Sequence, residues 1–277
     1  MKSLLLLVLF NLSLFATERI VTLAPSVNEI VFALGKGNEV IANTMFCDYP
    51  IESKNKEKIG GYSSISLEKI IKLNPTVVIG QNYDEKLNSN LEKLGIKTKI
   101  YKTTTVNEIR NTILDLGIFF QKEKKAKELV INIDKQLTSL KGIIENKKIL
   151  IVISPKKDLK NQIYVTGNYL YFEDIIKESK NKNAYYSKST MQPVVNAEKV
   201  IAMNPDIIIL LGAFFEGKPK ELEEVKNAWK KLPINAAKQN NIYAIDKEYA
   251  GIPSHRVVYF IKDFRKILED VRNKRLQ

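Results

Sequence analysis

A fifteen-residue pattern occurs twice in this chain, and it restricts the possible fold more than any other feature. Residues 66–80 read SLEKIIKLNPTVVIG and residues 196–210 read NAEKVIAMNPDIIIL, with six of the fifteen aligned positions identical. Each copy has the pattern of a capped helix, an Asn-Pro stop and a run of apolar residues that suits a buried strand. A repeated helix–strand unit of this length indicates two related lobes.

Signals for short strands and for helices alternate on both sides of the repeat. We predict strands at residues 19–23, 39–42, 77–79 and 99–101 in the first half, and at 149–153, 163–165, 207–211 and 242–245 in the second. The first helix is expected from Val27, with Ser26 and Glu29 forming a capping box at its N-terminus. The alternation predicts an α/β fold of two Rossmann-like lobes with mostly parallel sheets.

A segment without proline separates the two halves. Apolar residues recur in it at helical spacing, so residues 121–145 are predicted to form one long helix that joins the lobes. An ordinary surface helix within one domain is the alternative. The stripe consists of Leu129, Ile133, Leu137 and Leu140. The predicted organisation is a signal peptide at 1–16, an N-terminal α/β lobe at 17–120, an interlobe helix at 121–146 and a C-terminal α/β lobe at 147–277.

The N-terminus and the charge balance bear on where the protein works. Residues 1–16 combine Lys2, an apolar run and a final Ala16, which is typical of a secretory signal peptide. No cysteine lies near this segment, so we expect an exported protein that is not a lipoprotein. The net charge is +13, from 44 Lys+Arg and 31 Asp+Glu. The lysines are dispersed rather than clustered with aromatic residues, which favours a solvated surface without a nucleic-acid partner; attraction to anionic ligands is the other interpretation.

The chain lacks the motifs of common enzymes and of zinc sites. One His and one Cys are too few for a zinc site built on these residue types. No GxSxG or GxxxxGK[ST] motif occurs, and GKG at 35–37 lacks the third glycine of a dinucleotide-binding loop. We therefore expect no enzyme activity and no resident cofactor.

Several segments, in their order and spacing, resemble one family of transport proteins. They are RIVTLAPSVNEIVFALG at 19–35, CDYP at 47–50, the two copies of the repeat, AWKKLPINAAKQNNIYAID at 228–246 and PSHRVVYFIKDF at 253–264. The chain resembles the periplasmic substrate-binding proteins of metal-chelate ABC importers. The resemblance implies two lobes joined by a long helix, a monomer in the periplasm, and delivery of a metal chelate to an ABC permease in the inner membrane. A ferric siderophore is the first expected ligand, with haem and cobalamin close behind.

Aromatic residues follow several predicted strands, at the positions where open α/β sheets bind ligands. Aromatic faces suit a flat and largely apolar chelate, with a few polar groups to orient it. The candidate ligand-binding residues are Tyr49, Tyr62, Tyr83, Phe214, Phe215, Tyr249, His255 and Arg256. Ordinary partial burial is the alternative for each tyrosine, and Trp229 is interpreted as a core residue.

Five residues have more specific predicted roles. No side chain is expected to hold a resident metal, but Tyr62 and His255 are candidate ligands to the metal of the chelate. Arg256 is predicted either to bind an anionic group of the ligand or to pair with a carboxylate in its own lobe. The resemblance implies that Glu68 and Glu198 contact the permease; stabilisation by the helix dipole is the alternative. A secreted two-lobe enzyme and a ligand sensor or storage protein without transport stay open as other functions.

Overall fold

The structure is a computed structural model that describes residues 18–61, 64–82, 84–160 and 162–276. The predicted signal peptide at 1–16 and the candidates Tyr62 and Tyr83 lie outside the described residues. None of the helices within these ranges is long and apolar enough to cross a membrane.

The first half of the chain forms a sheet of five parallel strands in the order β3-β2-β1-β4-β5. The strands are β1 (Ile20–Thr22), β2 (Val40–Asn43), β3 (Glu57–Lys58), β4 (Val77–Gln81) and β5 (Thr98–Tyr101). The helices between them are α1 (Pro25–Ala33), α2 (Leu67–Leu73) and α3 (Glu85–Lys93). Each parallel neighbour is reached through a crossover connection, as a parallel sheet requires.

The second half forms a separate sheet in the order β11-β10-β6-β7-β9, with β8 beside β6. The strands are β6 (Lys148–Ile153), β7 (Ile163–Val165), β8 (Lys182–Asn183), β9 (Val194–Val195), β10 (Ile207–Leu211) and β11 (Ile242–Ile245). The helices are α6 (Tyr171–Glu178), α7 (Ala197–Met203), α8 (Pro219–Lys230), α9 (Asn235–Lys238) and α10 (Val257–Leu276). Strand β7 runs antiparallel to both of its neighbours, whereas β6, β10 and β11 are parallel. Two sheets that share no strand confirm the predicted two-lobe α/β fold.

The two copies of the repeat adopt the same local structure. Helices α2 and α7 each have seven residues and a polar N-cap, Ser66 or Asn196, whose side chain accepts a hydrogen bond from the backbone N–H three residues later. Each helix ends at an asparagine in the left-handed conformation, Asn74 with φ 44° and Asn204 with φ 43°. Asparagine tolerates this conformation better than most residues, so the Asn-Pro stop is a consequence of side-chain type.

A basic residue anchors each copy to the neighbouring strand. Arg19 donates hydrogen bonds to the carbonyl oxygens of Leu73 and Asn74 at the end of α2. Lys148 donates to the carbonyl oxygen of Met203 at the end of α7. A cation satisfies the carbonyl groups that a helix leaves unpaired at its C-terminus, so the same device fixes both units.

Two helices connect the sheets, and the predicted long helix is shorter than expected. They are α4 (Val106–Phe119) and α5 (Glu123–Thr138), so the prediction of one helix over 121–145 is wrong at both ends. Gln121 has a φ of 56°, and Gly142 and Asn146 also adopt left-handed conformations, which an α-helix cannot contain. The predicted stripe does face inward, since Ile133, Leu137 and Leu140 are buried in the core. The lobe boundaries at 17, 121 and 147 stay a prediction.

One hydrophobic core crosses from lobe to lobe. A single cluster of buried residues includes α1 beside the first sheet, the connecting helices α4 and α5, and α6 and α10 beside the second sheet. Because apolar burial is the main stabilising term in folding, separating the lobes widely would expose this core to water. The connection is therefore a packed layer of helices rather than a free hinge.

The predicted capping box at the start of α1 is wrong. The helix begins at Pro25 with Ala24 as N-cap, so Ser26 lies inside the helix, where its buried hydroxyl has no hydrogen-bond partner. Proline at the first helical position costs no hydrogen bond, because that N–H would be unpaired in any case. The carboxylate of Glu29 points instead toward the second lobe, where Ser254 and Arg256 donate to it.

Candidate ligand-binding cleft

A cavity of about 310 Å³ lies where the carboxyl ends of strands from both sheets meet. Its wall from the first lobe is formed by Thr103 and Thr104, which follow β5. The second lobe supplies most of the lining, from the residues after β6, β10 and β11 and from the start of α6. The apolar and aromatic members are Ile153, Leu170, Tyr171, Phe172, Leu211, Ala213, Phe214, Ala250 and Pro253. This placement matches the edge of an α/β sheet at which ligands bind.

Phe214 lines this cavity and Phe215 supports it from behind. The side chain of Phe214 is half exposed, whereas Phe215 is buried in the core of the second lobe. The ring centroids lie 4.2 Å apart, so the buried ring restricts the exposed one. A Cβ at Gly212 would lie 2.6 Å from the ring of Phe215, which explains why glycine precedes the pair. Only the first of these two predicted residues is therefore presented to a ligand.

Polar groups at the rim come from the segment after β11. Lys247 forms an ion pair of 2.8 Å with Glu216, and the Glu248 carboxylate accepts hydrogen bonds from Arg256. Both Lys247 and Glu248 line the cavity. The rim thus offers one cation and one anion to a ligand, each already held by a protein partner.

Arg256 is buried between the lobes rather than open to the cavity. Its Nε donates to Glu29 at 3.0 Å, its Nη2 also pairs with Glu29, and both Nη atoms donate to Glu248 at 3.1 Å. The ring of Tyr49 covers the guanidinium, with 3.7 Å between the ring centroid and Cζ. Arg256 therefore pairs with a carboxylate in its own lobe, Glu248, which was one of the two predicted roles. It also pairs with Glu29, which belongs to the other lobe. Burial raises the pKa of the Glu29 carboxyl, while hydrogen bonding to Arg256 and Ser254 lowers it in part.

His255 and Tyr49 line a second cavity, of about 460 Å³, on which Glu29, Phe32 and Lys56 also border. The Nδ1 atom of His255 is buried without a hydrogen-bond partner. Burial, together with the charges on Arg256 and Lys125, lowers the pKa of His255 to about 4. His255 is therefore neutral at physiological pH, the form in which an imidazole can accept a hydrogen bond or bind a metal.

Tyr249 lies away from both cavities. Its hydroxyl donates to Asp263 of α10, and burial together with this carboxylate raises its pKa. Its ring packs against Tyr259 with 5.4 Å between centroids. The structure thus brings Phe214 to the first cavity and Tyr49 with His255 to the second, whereas the partly buried Tyr249 lines neither. The described residues contain no group of three side chains able to hold a metal ion.

A lysine ammonium shapes the loop that carries Tyr49. The Nζ atom of Lys58 shares its three N–H donors among four oxygens that surround it, those of the Asn43 side chain (2.7 Å) and of the Ser53 (3.2 Å), Thr44 (3.3 Å) and Cys47 (3.3 Å) carbonyls. The buried side chain of Asn28 joins this cluster and donates to the carbonyl oxygen of Tyr49 at 3.1 Å. Hydrogen bonds to a charged donor are the stronger kind, so the loop is held firmly. We call this arrangement the Lys58 cage.

Glu68 and Glu198 occupy equivalent positions in the first turns of α2 and α7. Both are exposed, and neither pairs with a cation within the described ranges. Each helix runs antiparallel to the strand that follows it, so its N-terminus lies near the carboxyl edge of its sheet. The two carboxylates therefore stand on the cavity side of the molecule, one in each lobe.

The sequence analysis missed Glu29, Glu248, Tyr171 and Phe172. The sequence contained one signal for Glu29, which is a carboxylate within the apolar run VNEIVFAL. A carboxylate buried with such a run needs a hydrogen-bonding or cationic partner. Tyr171 and Phe172 have ring centroids 4.1 Å apart at the start of α6. A helix start read from sequence gives no indication of which lobe or cavity it faces.

Comparison with known proteins places the chain among binding proteins. The periplasmic binding protein family matches residues 20–249. A vitamin B12-binding protein of Vibrio parahaemolyticus is 25% identical over 263 residues, covering 93% of this chain and 92% of the relative. An uncharacterised ABC transporter substrate-binding lipoprotein of Bacillus subtilis is 26% identical over 257 residues, covering 89% and 78%.

Solved structures share the fold. The periplasmic vitamin B12-binding protein of Vibrio cholerae has a TM-score of 0.78 at 20% identity, covering 92% of this chain and 97% of the other. The periplasmic haem-binding protein of Vibrio cholerae has a TM-score of 0.74 at 21% identity, covering 91% and 99%. The resemblance found in the sequence is confirmed. These relatives are named for binding or transport, which supports the prediction that the chain is not an enzyme.

Proposed function

We propose that this chain, which belongs to the periplasmic binding protein family, binds a metal chelate in the cavity between its lobes and delivers it to an ABC permease. The observation that carries the proposal is the cavity of about 310 Å³ at the carboxyl ends of strands from both sheets, whose walls are mostly apolar and include the aromatic residues Tyr171, Phe172 and Phe214. Such walls contribute dispersion and stacking to a flat apolar ligand, and the rim residues Lys247 and Glu248 would orient it.

Cobalamin and haem are the first ligands to test. Three of the four proteins named above are named for binding vitamin B12 or haem. The siderophore expected first from the sequence has no counterpart among them, so a ferric siderophore is the third candidate. In this proposal the metal arrives within its chelate and not as a free ion.

Delivery would use Glu68 and Glu198. They are exposed, free of ion pairs among the described residues, and repeated in both lobes on the cavity side. A permease with two-fold symmetry requires equivalent contacts from both halves of its partner. We further propose that the protein acts as a monomer in the periplasm after removal of residues 1–16. Whether a lipid anchor is present would be decided by mass spectrometry of the mature protein.

Ligand titration of the purified chain tests the binding proposal. Haemin, cyanocobalamin and ferrichrome are added separately, and binding is followed by absorbance and by quenching of Trp229, the only tryptophan. Trp229 is buried in the core of the second lobe, so a spectral change reports energy transfer to the chelate rather than contact with it. Saturable binding of one chelate is expected. Absence of binding to all three would reject the proposed ligand class.

Phe214→Ala is the matched test of the cavity. Removing an aromatic wall is expected to weaken binding by about tenfold to a hundredfold, the usual range for an aromatic anchor. The control is Tyr259→Ala, since Tyr259 is an exposed aromatic residue that lines neither cavity. Equal affinities of the two variants would place the ligand elsewhere.

A further inference from the structure

The guanidinium of Arg256 joins groups from both lobes at a single buried point. Glu29 comes from α1 of the first lobe, and the loop carrying Tyr49 comes from the same lobe. Glu248 and Ser254 come from the segment between β11 and α10 of the second lobe. Arg256 is 4% exposed and the side chain of Glu29 is 1% exposed, so the pair is shielded from water and salt.

The geometry of this junction is specific to arginine. Nε and Nη2 bind the two oxygens of Glu29 side by side, while Nη1 and Nη2 reach Glu248. Such a bidentate arrangement fixes both distance and orientation, because the planar fork matches the planar carboxylate. A lysine ammonium at this position would keep the charge but lose the fork.

Four of the five N–H donors of Arg256 are already occupied. Both Nη atoms and Nε have carboxylate partners, and the Tyr49 ring covers one face of the guanidinium. Arg256 is also 4% exposed and lines neither cavity, so an anionic ligand in either cavity does not reach it without a rearrangement. The ligand-binding role predicted for Arg256 is therefore better replaced by a role inside the protein.

We propose that Arg256 is a positioning residue, which fixes the spacing of the lobes through Glu29 and the orientation of Glu248 at the cavity wall. Separating the lobes would break the charge-assisted hydrogen bonds between Arg256 and Glu29 and would expose the shared hydrophobic core to water. The bridge therefore resists opening, and the ligand affinity depends on it without direct contact. The effect on affinity rests on the function proposed above, whereas the effect on spacing does not.

Lobe spacing is measured directly with one spin label in each lobe. Lys72→Cys and Ala202→Cys provide exposed and equivalent sites near the ends of α2 and α7. Cys47 is buried, and a chain without the added cysteines serves as the labelling control. Pulsed electron paramagnetic resonance then gives the distance distribution without ligand, and titration with haemin and cyanocobalamin gives the affinity.

Arg256→Lys and Glu29→Gln are expected to broaden or shift the interlobe distance and to weaken the affinity by about tenfold, a usual size for coupling between sites. The control is Arg265→Lys, because Arg265 pairs with Glu269 on the exposed face of α10. This control should leave both measurements unchanged. Circular dichroism establishes that each variant is folded.

Several outcomes would overturn the proposal. Unchanged distance in folded Arg256→Lys and Glu29→Gln removes the spacing role, whatever the affinity of these variants. A changed distance with unchanged affinity removes the link to binding. Should Arg256→Lys and Glu29→Gln fail to fold, Ser254→Ala is judged by the same criteria, because the Ser254 hydroxyl also donates to Glu29 of the other lobe and lines neither cavity. If the wild type binds no chelate, the proposed function fails while the distance measurement still decides the spacing role.

Discussion

The two copies of the repeat are almost identical in structure, yet the loops that follow them differ. Helix length, N-cap, left-handed asparagine, proline and buried strand correspond between Ser66–Gln81 and Asn196–Leu211. After β4 the chain leads to the N-cap Asp84 of α3, whereas after β10 it forms a short helical turn that presents Phe214 to the cavity. The two lobes thus share the repeated helix–strand unit, but the segments that follow it contribute differently to the cavity.

This difference separates two tasks. A symmetric frame places Glu68 and Glu198 at equivalent positions, as a two-fold partner requires. The two lobes contribute unequally to the lining of the cavity, because only Thr103 and Thr104 of its lining residues come from the first lobe. An asymmetric wall suits a ligand that has no internal symmetry to match.

The most severe test of the comparison removes both repeated carboxylates. Glu68→Ala combined with Glu198→Ala is expected to abolish uptake in cells while chelate affinity is unchanged, because neither residue lines the cavity. Each single variant should retain part of the uptake. Transport of the labelled chelate is measured beside titration of the purified protein.

Glu85→Ala is the control for this experiment. Glu85 is also an exposed carboxylate in the first helical turn, but of α3, which has no counterpart in the repeat. Wild-type uptake by the double variant would remove the docking assignment and leave only the helix-dipole role.

The two asparagines that end α2 and α7 allow the two copies of the repeat to be compared by their contributions to the free energy of unfolding. Asn74→Ala is expected to cost about 1 kcal/mol, because alanine tolerates the left-handed conformation poorly. Asn204→Ala should cost about 2 kcal/mol, since the Asn204 side chain also accepts a hydrogen bond from the backbone N–H of Asn235 at 2.8 Å.

Chemical denaturation of both variants measures these costs. The controls are Asn74→Gly and Asn204→Gly, because glycine adopts the left-handed conformation freely and isolates the side-chain hydrogen bond. Equal costs at the two alanine variants would mean that the copies are energetically equivalent.

The last expected effect is about as small as that of Asn74→Ala and concerns His255, which lies between the lobes. Its pKa is lowered to about 4, whereas the unfolded chain has the ordinary value near 6.5. The unfolded state therefore binds the proton first, and stability present above pH ~6.5 is lost as the pH falls toward 4. Allowing for partial solvent exposure, we expect a loss of about 1 kcal/mol between about pH 7 and about pH 5.

The free energy of unfolding is measured across this range for the wild type and for His255→Asn, which cannot titrate. The difference between the two curves isolates His255 from other groups. Parallel curves would contradict the lowered pKa.

The sequence allowed prediction of features that depend on neighbouring residues. The repeat, its caps and its strands follow from side chains a few positions apart, and the inward stripe of α5 follows from helical periodicity. The ends of α5 did not follow, because Gln121, Gly142 and Asn146 change the backbone without disturbing that periodicity.

The junction of the lobes could not be predicted for a different reason. Glu29 and Arg256 are separated by 227 positions, and local pattern assigned the glutamate to a capping box. Only the packing of α1 against the segment before α10 determines that partner. Tyr249 likewise follows a strand as expected, but its hydroxyl turns to Asp263 of the long C-terminal helix.

The Lys58 cage makes the Tyr49 loop independent of metal ions in the surrounding solution. Four oxygen atoms surround one positive charge, as oxygen ligands surround a cation in a protein metal site. Here the cation is a lysine ammonium and is covalently attached to the chain. The occupancy of this site by the Lys58 ammonium does not depend on the calcium or sodium concentration of the solution, and a chelating agent cannot remove it. A receptor proposed to collect a metal complex thus shapes its own loop without consuming metal.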